Sequence, residues 1–171
     1  MNISLKKATF GAGCFWHVEE EFSKLEGVIS TSVGFMGGDF ENPSYKDVCT
    51  GKTGHAEVVH LEYDPNIISY EKLLEVFWNL HDPTTLNRQG PDIGTQYRSV
   101  IFYHNQEQEK IAMESKIKLD KSGKFSAKCG SAFSGKNKIV TEIKSAEIFY
   151  KAEEYHQKYF EKQGISCRVN K

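Results

Sequence analysis

The chain has 171 residues, with 22 Lys and Arg against 23 Asp and Glu and a formal net charge of −1. No basic block is interleaved with aromatic residues, which excludes a nucleic-acid footprint, and no window approaches the run of about 20 apolar residues that spans a membrane. The length suits one domain with a sizeable core, and the four cysteines, Cys14, Cys49, Cys129 and Cys167, lie far apart, which reads as free or redox-active thiols rather than a disulfide scaffold.

The opening MNISLKKATF lacks an apolar run of signal-peptide length, so a soluble, cytoplasmic protein is expected. Residues 5 to 10 read as a strand that Gly11 and Gly13 break, and Phe15, Val18, Phe22 and Leu25 then follow helical spacing. Cys14 therefore opens a helix, and Gly27 suits the position just past its end. Val28 to Phe35 form a strand that stops at Gly37 and Gly38. After a loop with Pro43, "GHAEVVHLEYDP" alternates as a strand with one well-covered face. Ser69 caps a helix whose apolar face is Leu73, Leu74, Phe77 and Leu80 and which ends before Pro83. The connection "HDPTTLNRQGPDIGTQYR" is longer than ordinary, a mark of functional loops.

Ser99 to Tyr103 form the next strand and Gln106 to Lys121 a charged helix. The Gly/Ser/Lys-rich stretch "SGKFSAKCGSAFSGKNK" follows; "KIVTEI" reads as a strand and Ala152 to Gln163 as a last helix stopped by Gly164. This order predicts an α+β fold, a ferredoxin-like split βαβ plait whose mixed sheet is covered by helices, with C-terminal additions. The expected organisation is a single catalytic domain over residues 1–171, of which 160–171 form a mobile tail.

The first turn of a helix has unpaired backbone N–H groups and partial positive charge, so a thiolate at Cys14 would be stabilised and its pKa lowered. A small buried cysteine between strand and helix is the plain alternative. Phe15 and Trp16 serve either as core or as the walls of an apolar pocket. Glu57, on a strand among apolar residues, would have a raised pKa and could act as an acid, or could be an ordinary exposed carboxyl. Tyr45, Tyr97, Asp92 and His156, taken singly, are as compatible with structural roles. None of the cysteines has the short spacing of a zinc site and the histidines are scattered, so no metal and no cofactor are expected.

Taken together, "GAGCFW", "NPSYKDVCTGKTGHAEVV", "DIGTQYRSVIFYHNQEQEKIA", "KIVTEI" and "AEEYHQKYF" resemble, in order and spacing, peptide methionine sulfoxide reductase of type A from about residue 6 to 160. The resemblance implies Cys14 as nucleophile, Glu57 as acid, Phe15 and Trp16 around the substrate methyl group, Tyr45 and Tyr97 as donors to the sulfoxide oxygen, and Asp92 and His156 nearby. It implies methionine S-sulfoxide, free or in proteins, as substrate and thioredoxin as reductant of a disulfide formed from a Cys14 sulfenic acid. Four departures stand out. His17 occupies a position where the family usually has glycine, Lys151 replaces a proline, the short "KQGISCRVNK" replaces a glycine-rich tail with recycling cysteines, and the unusual "AKCGSAFSGKN", which carries Cys129, interrupts the resemblance.

The resolving thiol is therefore assigned by position. Cys167, four residues from the end, is expected to resolve, with Cys129 as the alternative and Cys49 set aside as buried in an ordered turn. Two other classes remain open: a cysteine hydrolase or acyltransferase with Cys14 activated by His17 or His156, and a non-enzymatic thiol sensor.

Overall fold

The structure, a computed structural model, describes residues 4–125 and 138–165. Its strands and helices run β1 (Lys6–Ala12), α1 (Phe15–Ser23), β2 (Val28–Met36), α2 (Tyr45–Cys49), β3 (Ala56–Tyr63), α3 (Tyr70–Leu80), β4 (Arg88–Gln89), β5 (Asp92–Ile93), β6 (Ser99–Tyr103), α4 (Gln106–Ser122), β7 (Glu142–Ser145), β8 (Tyr150–Lys151) and α5 (Tyr159–Gln163). Six strands form one sheet in the order β7-β6-β1-β3-β2-β8. All neighbours are antiparallel except β6 and β7, which are parallel. The inner order β6-β1-β3-β2 is the split βαβ plait, so the α+β, ferredoxin-like expectation is met. No helix among the described residues is long and apolar enough to cross a membrane.

The helices cover one face of the sheet. There Phe10 stacks on Phe22 with ring centroids 5.1 Å apart and on Phe77 at 5.3 Å, joining β1 to α1 and α3. The caps agree with the local sequence: Ser69 accepts from the backbone N–H of Lys72 at the start of α3, and Asn105 from that of Gln108 at the start of α4.

Four local expectations need correction. Gly11 does not break β1; it lies inside it, because a side chain there would collide with Val100 and the carbonyl of Glu57. Both faces of β3 are covered, not one. Val59, Leu61 and Tyr63 meet the helical core, while Ala56 and Val58 pack with Met36, Val100 and Phe102 under Ala146 and Phe149 of the C-terminal segment. Residues 138–141 are not strand. Ile139 and Thr141 are buried, the Val140 N–H donates to the carbonyl of Pro83, and pairing with β6 begins only at Glu142.

The stretch 152–163 is not one helix but a 3₁₀ turn at Glu154–His156 followed by α5, interrupted at Lys158, whose φ is +50°. The physical cause is Gln157. Its side-chain amide donates to the carbonyls of Val33 and Ala152, and its oxygen accepts from the Val33 N–H, so it binds the edge of β2 in place of another strand residue.

Candidate active site

Antiparallel pairing brings distant segments to one end of the sheet. Ala12, at the end of β1, pairs with Ser99 at the start of β6, and the register Phe10–Val59 carries β1 toward Glu57 at the start of β3. Cys14 lies two residues past Ala12, and Tyr97 two residues before Ser99. Tyr45 opens α2, after β2, and His156 follows β8, which pairs with β2 at Gly34 and Phe35. Four chain reversals thus deliver the predicted residues to one place.

Gly13 makes the turn into α1 with a φ of +93°, and a Cβ there would lie 2.8 Å from the side chain of Gln89. The bare backbone lets the long connection pack against Gly13, the residue before Cys14. That connection is not structureless: it contains the β4–β5 hairpin and a 3₁₀ turn at Thr95–Tyr97, and Gln89 pins it to both backbone groups of Asp82.

Cys14 is the N-cap of α1, as its sequence position predicts, but its thiol is not acidic. Burial pushes its pKa up to about 11, followed by the charge of Glu57; the backbone N–H groups of Trp16 and His17 at the helix start pull it down, less strongly than burial and Glu57 push it up. Desolvation outweighs the helix terminus. His17 is half-buried, and its backbone is what reaches the thiol.

Glu57 is buried, as a carboxyl on a strand covered on both faces must be. Its Oε2 accepts from the backbone N–H of Phe15 at 3.1 Å, while Oε1 has no hydrogen-bond partner among the described residues. Burial raises its pKa to about 8, against the lowering effect of the Phe15 N–H and with a further push from Asp92. At neutral pH it is a carboxylic acid with a proton to give. Tyr97 is pushed up to about 12, first by burial and then by the charges of Glu57 and Asp92. Tyr45 is raised further by burial and by the neighbouring Cys49 thiol. Both phenols keep their hydrogens and remain donors.

Phe15 and Trp16 part company. Phe15 is fully buried, its ring 5.8 Å from Phe35, 6.3 Å from Tyr45 and 5.3 Å from His156. Trp16 is half-buried, donates its indole N–H to Nδ1 of His156 at 3.0 Å and stacks on Tyr159 of α5 at 3.9 Å. Tyr159 and Glu153, whose Oε1 accepts from the Tyr45 N–H at 2.9 Å, were not legible as site residues. Each carries an ordinary helix-surface pattern, and only the fold brings it here. Cys49, expected to be buried, is exposed at the end of α2. Cys129 and Cys167 lie outside the described residues.

A partly buried thiol, a protonated carboxyl with one bare oxygen, two phenolic donors and an aromatic wall can bind a small polar group carrying a methyl and protonate an oxygen leaving it. The family model described as peptide methionine sulfoxide reductase matches residues 6–170. A Methanothermobacter thermautotrophicus protein named peptide methionine sulfoxide reductase MsrA is 60% identical over 157 residues, covering 92% of this chain and 87% of that protein. Among solved structures, Mxr1 from Saccharomyces cerevisiae in reduced form superposes with a TM-score of 0.82 at 37% identity, over 96% of this chain and 90% of that one. The same yeast protein is known in complex with Trx2, with a TM-score of 0.60 at 24% identity over 91% of this chain and 84% of that one.

Proposed function

Because the chain belongs to the type A peptide methionine sulfoxide reductase family, and is therefore a methionine sulfoxide reductase, we propose that it acts on the S epimer, free or in proteins, with Cys14 as nucleophile and Glu57 as acid. The observation that carries this reading is the bare, buried Oε1 of Glu57 on a carboxyl that keeps its proton to about pH 8. An unpartnered buried oxygen costs stability unless something else binds it. A sulfoxide oxygen is a partner of the right kind.

The step balances within the site. The Cys14 sulfur attacks the sulfoxide sulfur; Glu57 gives its proton to the sulfoxide oxygen and regains one from the thiol. The protonated oxygen then passes from the substrate sulfur to the Cys14 sulfur: the substrate S–O bond and the new S–S bond break as the Cys14 S–O bond forms. Cys14 is thereby oxidised to a sulfenic acid, and the substrate is reduced and leaves as methionine. The high thiol pKa fits this scheme, since the thiol's own proton replaces the one Glu57 gives up. Tyr45 and Tyr97 steady the oxygen, and Phe15 and Trp16 border the methyl. Burial, helped by the charge of Asp92, keeps Glu57 protonated, and His156 holds the indole.

A second thiol then condenses with the sulfenic acid, releasing water and forming a disulfide that thioredoxin reduces by exchange. Cys167 is the proposed resolving thiol, and Cys129 the alternative. In support of Cys167, Tyr159 of α5 stacks on Trp16, so the chain leaves the described fold from beside the site only a few residues before Cys167. The complex of yeast Mxr1 with Trx2 supports thioredoxin. The exposure of Cys49 removes burial as the reason to set that thiol aside.

The test supplies resolved S and R epimers of methionine sulfoxide with dithiothreitol and measures methionine. Release from the S epimer alone is expected; ester or amide cleavage without methionine release would favour the hydrolase, and no turnover the sensor. Peptide mapping after one equivalent of substrate then identifies the disulfide, expected between Cys14 and Cys167.

A further inference from the structure

One carboxylate beside the site has no part in the chemistry above. Glu153 precedes the 3₁₀ turn that carries His156. Its Oε1 accepts from the backbone N–H of Tyr45, the first residue of α2, at 2.9 Å. Its Oε2 lies 4.0 Å from Nε2 of His156, and these two atoms are both buried and both without a hydrogen-bond partner among the described residues. The other ring nitrogen, Nδ1, accepts from the indole N–H of Trp16 at 3.0 Å.

The hydrogen count follows from the donors. An indole N–H can only donate, so Nδ1 of His156 is bare, and a neutral imidazole with a bare Nδ1 carries its hydrogen on Nε2. That hydrogen sits on the ring atom 4.0 Å from the unpartnered oxygen of Glu153. The Tyr45 ring also packs against His156, with centroids 4.3 Å apart. Trp16, His156, Glu153 and Tyr45 thus form a chain of contacts drawn from α1, the C-terminal segment and α2.

We propose that Glu153 is a positioning residue that ties Trp16 to Tyr45: its two oxygens accept from the Tyr45 backbone and from His156 Nε2–H, and so fix the imidazole that holds the indole. A movement of about 1 Å brings the 4.0 Å separation to hydrogen-bond length. Only a carboxylate serves, because it accepts on both oxygens. Glutamine in its place faces two N–H donors with one acceptor and one NH₂, and leaves one donor opposed. What the positioning serves rests on the reductase reading; the hydrogen-bond chain itself does not.

The experiment uses the full-length reduced protein with ¹⁵N-labelled histidine and tryptophan. In the wild type at pH 7, NMR is expected to show His156 neutral with its hydrogen on Nε2 and the Trp16 indole proton protected from exchange. In Glu153→Gln, the His156 signals should shift or the indole proton exchange faster. The value of kcat/KM for methionine sulfoxide should fall by about tenfold, the scale of one hydrogen bond to a charged group, with the larger share in KM because Trp16 borders the substrate. In a Trp16→Phe background the same change should cost less than about twofold, since the chain is already broken.

Finding the hydrogen on Nδ1 in the wild type overturns the proposal, and decides it even where the variant does not fold. So does an unaltered spectrum with unaltered kinetics in Glu153→Gln, or an equal loss in both backgrounds. The NMR readings need no turnover, so failure of this proposal and failure of the reductase reading are distinguishable.

Discussion

Glu57, on β3, accepts from the first residue of α1 and Glu19 stands in the middle of that helix; they are 1% and 2% exposed, and burial alone does not tell them apart. Glu19 has a donor on each oxygen: Oε1 accepts from the hydroxyl of Thr31 and Oε2 from the backbone N–H of Lys158, both at 2.8 Å. It fastens α1 to β2 and to the C-terminal segment. Glu57 has one donor, and its second oxygen is bare. The first arrangement satisfies a carboxylate within the protein, while the second leaves a carboxyl that keeps its proton and has an oxygen to offer. Partner count, more than depth, separates a structural acid from one available for chemistry.

The largest effect that tests this contrast lies on the Glu57 side. Cys14→Ser should remove methionine release altogether while leaving the thermal midpoint and circular dichroism unchanged, because Cys14 makes no side-chain capping bond that the helix depends on. Turnover by the serine variant above the uncatalysed background would detach the chemistry from this end of α1.

Glu57→Gln comes next, with a single-turnover rate expected to fall by roughly 10²–10⁴-fold, the scale of general acid catalysis, since the amide donates a hydrogen bond but not a proton. In the wild type that rate should be level below pH 8 and fall above it, as Glu57 loses its proton at about 8. A rate that climbs from pH 7 to 9 would instead make thiolate formation the only requirement.

The same group should mark stability. Folded Glu57 holds its proton to about pH 8, whereas an unfolded glutamate releases it near 4.5. The folded state therefore binds more protons between these values, so this contribution is complete below about 4.5 and lost as pH rises toward 8. Glu57→Gln cannot ionise, so its thermal midpoint relative to wild type should rise steadily from pH 5 to pH 8. A constant difference would mean that Glu57 is already charged in the fold.

Glu19→Ala should show the opposite pattern and the smallest catalytic effect. Stripping the acceptor from the buried Lys158 N–H should cost about 1–3 kcal/mol in urea unfolding, with the single-turnover rate of the folded protein kept. A catalytic loss as large as that of Glu57→Gln would erase the distinction between the two acids.

The sequence by itself determined the plait, with its four inner strands and helices α1, α3 and α4, because apolar spacing at periods of 2 and 3.6 reports burial element by element, and serine and asparagine caps act within three residues. It also placed Cys14 at a helix start, and the resemblance of its motifs to the family grouped Glu57, Tyr45, Tyr97, Phe15, Trp16, Asp92 and His156 with it. The tertiary structure alone decided which way the Cys14 thiol shifts, that Cys49 is exposed, that Gln157 replaces a helix with an edge clamp, and that Glu153 and Tyr159 reach the site. These outcomes depend on desolvation and on hydrogen bonds between residues far apart in the chain, 42 positions for Phe15 and Glu57 and 140 for Trp16 and His156. Periodicity records which face of an element is buried; which polar atoms are left without partners is settled only where several buried faces meet.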